Sequence, residues 1–424
     1  MDKCWWEQAS QLDSVDELKE YRREFHLPAR GIYFDGNSLG AASQKALDCL
    51  EEVAGEWKNL LIRGWSEAEK PWFTLCEEIS RLSAPLVGAH PEEVTVANST
   101  TINLHHLLTG FFTPGDGRTR IVADELNFPS DLYALSGQLR LRGLVPENHL
   151  MLVRSPDGRT INEQTVVDSL SPQVALVLLP SVLYRSGQLL DIPYLVEQSH
   201  RQGALIGLDL SHSVGVVPHQ LTAWGVDFAF WCNYKYVNGG PGAPAGLFVH
   251  HRHRDRLPGL PGWWGSDKSV QFAMEPTFVP APDAGRWQVG TPSILSAAPL
   301  RGALELIHQA NMSRIRTKSL RMTSFLMTLV DAELEEWGFT VGTPRQDQRR
   351  GGHVAVEHSA AWQMTQALLE RGIIPDFRPP NVIRLAPSPL YNTYQEVCQV
   401  VAELRELAQS RAYLRFNNAR PTVT

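Results

Sequence analysis

The chain has 424 residues, beyond the ~250–300 at which single hydrophobic cores stop growing, so more than one domain is expected. Apolar residues make up 43% and charged residues 20%, a globular balance that excludes wholesale disorder. A formal net charge of −7 argues against a nonspecific nucleic-acid grip or a polybasic membrane patch.

The start, MDKCWWEQ, lacks a basic segment followed by an apolar one, so no secretory leader is expected. No apolar run approaches the ~18–20 residues needed to cross a bilayer. Five scattered cysteines without a CxxC pair indicate neither a disulfide framework nor a zinc ribbon, and the expectation is a cytoplasmic protein. Residues 1–30 read as an amphipathic helical lead-in, with Leu12, Val15, Leu18 and Tyr21 at helical spacing. A turn-rich stretch, DGNSLG (35–40), precedes helical patterns at 43–60 and 73–86. Short apolar runs then recur at Val94–Ala97, Arg120–Ala123, Val174–Leu179, Ala204–Leu208, Val226–Trp231 and Gly246–His250, with helical patterns between most of them. Buried parallel strands read this way because crossover helices cover both faces. After Pro292 come one long helical pattern (Ala297–Leu334), short extended pieces near Phe339–Val341, His353–Glu357 and Val382–Ala386, and helices at Ala360–Arg371 and Thr393–Gln409. The division expected is an N-terminal helical segment (1–60) packing with the small domain, a large α/β domain with a mostly parallel sheet (61–295), and a small α+β domain (296–424). The tail, 417–424, reads as disordered.

Chemistry gathers at strand exits. Lys235 lies in FWCNYKYVNGGPGAPAG, where an apolar strand gives way to a Gly/Pro-rich loop, and it is the only lysine between Lys70 and Lys268. A lysine in a dry setting is disfavoured as a charged group, which makes its amine a nucleophile suited to a Schiff base with a carbonyl cofactor. Asp209, in ALIGLDLSHSVG, ends another strand, where ligands of open α/β sheets collect. A pyridoxal phosphate enzyme needs such a carboxylate to keep the ring nitrogen protonated. His212 is three residues on. Asn98-Ser99-Thr100-Thr101 opens a helix and could hold an anion, and Phe128-Pro129-Ser130-Asp131 offers an aromatic face.

These residues, with FDGNSLG (34–40), KPW (70–72), NLH (103–105), GWWG (262–265), GTPSIL (290–295) and IRLAPSPLYN (383–392), resemble kynureninase, a fold-type I pyridoxal phosphate enzyme, over nearly the whole chain. The resemblance implies that Lys235 carries pyridoxal 5'-phosphate and that Asp209 pairs with its ring nitrogen. It implies that Thr100, Thr101, Phe128, Ser130, Asp131, His212 and Tyr234 surround the cofactor, with Tyr234 relaying a proton. Trp263 and Thr291 would reach it from the neighbouring subunit of a homodimer. Arg384 would clamp the substrate α-carboxylate, with Ser38, Trp65 and His212 lining the rest of the substrate. The implied reaction is hydrolysis of L-kynurenine, and less well 3-hydroxykynurenine, to anthranilate (or 3-hydroxyanthranilate) and L-alanine, in tryptophan degradation or NAD biosynthesis. Trp65 and Thr291 match the bacterial pattern rather than the His and Asn of animal enzymes. One departure is Pro180 followed by Ser181, where relatives usually carry a Ser or Thr for the cofactor.

Other readings compete. Gly36-Asn37-Ser38-Leu39-Gly40 matches the G-x-S-x-G elbow of serine hydrolases, with Asp209 and His212 as partners. That elbow needs a preceding central strand, and only Gly31–Phe34 is at hand. The run His250-His251-Arg252-His253 reads as a solvated loop rather than a metal site, and no metal is expected. An aminotransferase or cysteine desulfurase is the nearest enzyme alternative, although neither Cys232 nor Cys398 stands in a loop suited to desulfurase chemistry. A non-catalytic scaffold would have lost Lys235, Asp209 or Arg384, and all three are present.

Overall fold

The computed structural model describes residues 1–417; all but Asn417 of the tail expected to be disordered lies outside the described residues. A two-residue strand, β1 (Ile32–Tyr33), stands before the main sheet. That sheet consists of β2 (Val94–Ala97), β3 (Arg120–Asp124), β4 (Leu150–Val153), β5 (Val174–Pro180), β6 (Leu205–Asp209), β7 (Phe228–Trp231) and β8 (Ala245–Val249). Their order is β2-β8-β7-β6-β5-β3-β4. Within it β8 runs antiparallel to both neighbours, while β7, β6, β5, β3 and β4 run parallel. Two reversals across β8 leave β2 pointing the same way as β7. The edge strand β4 was not anticipated from the sequence. Its Leu152 is exposed, so it lacks the continuous burial that marks the central strands.

The second apolar cluster lies C-terminal. Here β9 (Thr340–Val341), β10 (Val354–Glu357), β12 (Asp376–Arg378) and β13 (Val382–Leu385) form an antiparallel sheet in the order β12-β13-β10-β9. The intervening β11 (Ile373–Ile374) instead pairs in parallel with β1. The N-terminal helix Lys3–Ser14 joins this cluster: Ala9 is buried among Val397, Val400 and Val401 of helix Tyr394–Ser410. Trp5 Nε1 donates to Glu333 Oε1 at 2.9 Å.

The long helical pattern at 297–334 resolves into two helices, Ile294–Ala310 and Met312–Leu334. Asn311 breaks them with φ 69°, a conformation Asn tolerates better than most residues. Its N–H donates to the Ile307 carbonyl (2.9 Å) and closes the first helix. Its side chain accepts from Ser313 N–H (2.9 Å) and opens the second. Periodicity alone could not find this break, because both segments continue a 3.6-residue pattern. The first helix buries Leu300, Leu304 and Ile307 in the large core, and the second buries Met322, Leu326 and Val330 in the small one.

Two stability predictions follow from this packing. Helix Ile294–Ala310 crosses helix Gln44–Leu60 so closely at Gly302 that an added Cβ would meet the Lys45 carbonyl oxygen. Gly302→Ala is therefore expected to lower stability by about 1–3 kcal/mol, read as a fall in melting temperature. Asp124, at the end of β3, is fully buried with no cation beside it, and burial pushes its carboxyl up to about 7. Because this value lies above the unfolded one, its stabilising contribution is complete at acid pH and is lost as pH rises through about 7. Asp124→Asn fixes the neutral form. Denaturant unfolding should show the variant matching its parent near pH 4 and exceeding it at pH 8 by roughly 2–4 kcal/mol.

Candidate active site

The carboxyl ends of β2, β3, β5, β6 and β7 open on one side of the large sheet, the edge at which open α/β sheets bind ligands. The turn after β7 is held from beneath. Trp231 Nε1 donates to Asn233 Oδ1 (2.9 Å), Asn233 Nδ2 donates to the Pro244 carbonyl (2.8 Å), and Gly239 N–H donates to the Asn233 carbonyl (2.9 Å). From the other side the DGNSLG segment docks on the same turn, Gly40 N–H donating to the Tyr234 carbonyl at 2.7 Å. A Cβ on Gly40 would lie 2.4 Å from the Lys235 carbonyl oxygen, so only glycine allows this approach. The Lys235 main chain is thereby fixed from both sides.

Lys235 Nζ lies 3.0 Å from His212 Nε2, and 5.8 and 5.9 Å from the ring centres of Phe128 and Tyr234. Burial, then the charges of Lys235 and Arg384, hold the His212 imidazole well below its usual range, so it is neutral. Asp209 closes β6 opposite Pro180 and Phe230. Its Oδ1 accepts from Ser211 N–H (2.8 Å) and Ser211 Oγ (2.6 Å), which leaves Oδ2 for another donor. Burial pushes the Asp209 carboxyl up, and the Lys235 charge opposes it. Asp131 is pushed well above the carboxylate range by burial and by Asp209; its Oδ2 is buried without a partner.

Arg384, on β13, is almost fully buried. Its Nε donates to Asp376 Oδ2, Nη1 to the Tyr184 carbonyl (2.7 Å) and Nη2 to Ser38 Oγ (3.0 Å). A guanidinium has five N–H groups, so two remain for an incoming carboxylate. Tyr184 stands edge-on to Phe128, with centroids 5.4 Å apart, and 6.3 Å from His212, which closes the space between the two domains' contributions.

Contacts thus join Lys235, Tyr234, Asp209, His212, Phe128, Ser130, Asp131, Arg384 and Ser38 in one neighbourhood. Among the described residues, no hydrogen bond or ring contact joins Trp65, Trp263 or Thr291 to it within one chain. Trp65 packs on Trp72 and Trp264, exposed Trp263 packs on Trp264 and Phe272, and Thr291 is exposed. Sequence reasoning missed Tyr184, Asp376 and His353. The first two reveal themselves only through Arg384, whose burial demands partners, and no local pattern marks them. Ser181 donates to Ser213 Oγ at 2.6 Å.

Two competing readings fail on geometry. Ser38 follows β1, which belongs to a two-stranded pair outside the main sheet, and the next helix starts only at Gln44, so no nucleophile elbow exists there. Its hydroxyl faces Arg384 rather than an imidazole. The histidine loop comes near metal-ligand geometry: ligating atoms of His90, Glu93 and His251 lie within 4.8 Å of one another. The Glu93 carboxylate there is already occupied by His90 N–H (2.9 Å), His251 N–H (2.8 Å), His251 Nδ1 (2.6 Å) and the Thr222 hydroxyl, which is the chemistry of a cap.

The residues fit pyridoxal phosphate on two counts. Asp131 and Asp209 are two buried carboxyls facing a single lysine, a charge deficit that a protonated pyridine would fill. Helix Thr100–Phe111 begins with no side chain capping its first N–H groups, leaving Thr100 and Thr101 free to hold a phosphate at its positive end.

Comparison with known proteins agrees. The Kynureninase C-terminal domain family matches residues 315–404. A kynureninase of Geobacillus thermodenitrificans is 52% identical, covering 98% of this chain and 97% of its own, and one of Bacillus anthracis is 50% identical, covering 99% and 98%. Among solved structures, an apo cysteine desulfurase from Thermococcus onnurineus aligns with TM-score 0.79 at 18% identity, covering 92% of this chain and 98% of that one. A C-DES variant with glycine covalently linked to its PLP cofactor aligns at 0.80 and 18%, covering 91% and 99%. Such distant likenesses establish the fold, that of fold-type I pyridoxal phosphate enzymes. Half-identity over the full length establishes more: the chain belongs to the kynureninase family.

Proposed function

We propose that the chain hydrolyses L-kynurenine to anthranilate and L-alanine with pyridoxal 5'-phosphate. The observation that carries this reading is the convergence of Lys235, Asp209 and Arg384 on one strand-end site in a chain half-identical to kynureninases. When bound, the cofactor supplies a carbonyl for the substrate amine and a protonated ring that spreads negative charge from the α-carbon.

This chain's residues do the rest. Asp209 Oδ2, which Ser211 leaves free, would accept the ring N–H, and Phe128, beside Lys235, would lie against the ring. Thr100, Thr101, Ser130 and Tyr234 would hold the phosphate side, and Trp263 and Thr291 of a second copy would complete it. Arg384 takes the α-carboxylate with its two remaining N–H groups, and Ser38, Trp65 and His212 line the substrate beyond. Lys235 removes and returns the α-proton, its amine held by His212. Water adds at the γ-ketone, Cβ–Cγ breaks, and anthranilate leaves. Tyr234, whose phenol burial keeps protonated, supplies the proton that turns the remaining three-carbon unit into alanine.

A homodimer is part of the proposal. Trp263 and Phe272 pack on one another and are exposed, and Trp263 is the residue assigned to the other copy's site. We assign the division of labour to a cofactor domain over 61–295, to which helices Gln44–Leu60 and Ile294–Ala310 add their packing, and a small domain over the rest of 296–424 that brings Arg384, with helix Lys3–Ser14 packed on it. We assign the cytoplasm, which suits five cysteines that are all free, and a role in tryptophan degradation or NAD biosynthesis. Among the described residues no helix is long and apolar enough to cross a membrane. Against a desulfurase stands the burial of Cys232 and Cys398.

Two substitutions test the assignment. Lys235→Arg should fold as the parent does yet release no anthranilate from L-kynurenine, followed by anthranilate fluorescence; full activity would overturn the assignment. Arg384→Lys keeps the charge but loses the fork, and should raise KM for L-kynurenine about 10- to 100-fold, as expected for losing a charge-assisted bidentate contact.

A further inference from the structure

Arg185 is a largely buried cation that the proposed reaction does not use, its side chain only 16% exposed. It follows Tyr184 at the tip of the loop after β5, which closes on itself through Leu183 N–H to the Gln188 carbonyl and Gly187 N–H to the Leu183 carbonyl (both 2.9 Å). Two adjacent residues of this tip hold one strand at two points. The Tyr184 carbonyl accepts from Arg384 Nη1 at 2.7 Å. The Arg185 guanidinium donates through Nη2 to Asn381 Oδ1 (3.0 Å), directly before β13, and through Nη1 to the Gly158 carbonyl. It also stands 3.9 Å from Glu357, the last residue of β10, which pairs with Val382 just as Ala355 pairs with Arg384.

The surroundings are built to hold that guanidinium. Asp157 Oδ1 accepts from the N–H groups of Arg159 and Thr160 (both 2.8 Å), which folds the turn through Gly158, at φ 67°. The turn gives Arg185 its carbonyl and also supplies Arg159, whose Nε (3.0 Å) and Nη2 (2.5 Å) take the two oxygens of Glu357. Glu357, with a side chain 5% exposed, thus faces two guanidinium groups, and separating such buried partners is costly. The Tyr184 carbonyl and the Arg185 nitrogen belong to one rigid peptide unit, so whatever fixes Arg185 fixes the acceptor of Arg384. A bidentate carboxylate contact depends on the plane of the guanidinium, and that plane is set by the acceptors of its other N–H groups. The Tyr184 ring lies beside Phe128 and His212, so the same peptide also sets Arg384 relative to the lysine side of the site.

We propose that Arg185, clamped by Gly158, Asn381 and Glu357, is a positioning residue that orients Arg384 through the Tyr184 carbonyl and so tunes recognition of the substrate carboxylate. This rests on the proposed function for the role of Arg384. The test uses holoenzymes of the parent, Arg185→Met, Arg384→Lys and the double variant. The readouts are kcat and KM for L-kynurenine, the dissociation constants of L-alanine and L-alaninamide followed by cofactor absorption, and melting temperature. Arg185→Met should raise KM and the L-alanine constant about tenfold, the size of one charge-assisted hydrogen bond, with kcat within about twofold of the parent. L-Alaninamide, which lacks the carboxylate, should bind parent and variant alike. Melting temperature should fall as well, since the clamp joins the two domains, but a stability loss alone does not separate acid from amide. On the Arg384→Lys background Arg185→Met should change KM by less than about twofold, because the residue it acts through is already altered. An unchanged KM, a loss as large for the amide as for the acid, or a full tenfold again on the Arg384→Lys background overturns the proposal. If Arg185→Met does not fold, Arg185→Lys, which keeps the charge beside Glu357 but lacks the fork to Gly158 and Asn381, is read by the same criteria. A parent that prefers L-alanine over its amide yet releases no anthranilate overturns the substrate reading and leaves this one standing.

Discussion

A guanidinium sealed from water at Arg384 is the constraint on which the arrangement depends. A buried charge is tolerated only when paired and fully hydrogen-bonded, and removing a partner commonly costs ~3–5 kcal/mol. Within the chain Arg384 is paired with Asp376 from the neighbouring strand and donates to the Tyr184 carbonyl after β5 and to Ser38 from the DGNSLG turn, which leaves two of its N–H groups to be met by a ligand. Three segments far apart in sequence must converge for the charge to be satisfied. The same convergence docks Gly40 on the lysine turn and sets Tyr184 beside Phe128. Stability and site assembly are therefore one requirement: a chain that failed to bring its two cores together would leave a bare cation in the interior.

The large domain shows how charge balance is left unfinished on purpose. Asp209 and Asp131 are buried within reach of one lysine, and burial pushes both carboxyls up while the Lys235 charge pulls them down. Structural cores avoid such arrangements, and they persist where a ligand completes them. The uncapped helix start at Thr100 is the complementary deficit, an unmet demand for negative charge at the far end of the same site. A ligand cationic at one end and anionic at the other answers both.

Much of this was legible from the chain. The central strands announce themselves as continuous apolar runs, and Lys235, Asp209 and Phe128-Pro129-Ser130-Asp131 each follow one, so their common edge is implied by the sheet's parallel sense. Arg384 was legible only through family resemblance, since nothing local distinguishes it from other arginines. Tyr184, Asp376 and His353 were illegible for a clearer reason: each matters through contacts 8 to 200 residues away, made after folding, and carries no periodic or turn signature. Edge strand β4 and the short β11 and β12 escaped because strands without continuous burial or strict alternation resemble loops.

The break at Asn311 has a consequence for the size of the molecule. Helix carried unbroken from 294 to 334 would form a rod of about 60 Å at 1.5 Å per residue. Its far end would project the small sheet, and Arg384 with it, away from the lysine it serves. A single residue at positive φ turns the chain there, so that one helix serves each core. The reach of the arginine proposed to bind the carboxylate is thus set by a backbone torsion dozens of residues away in sequence.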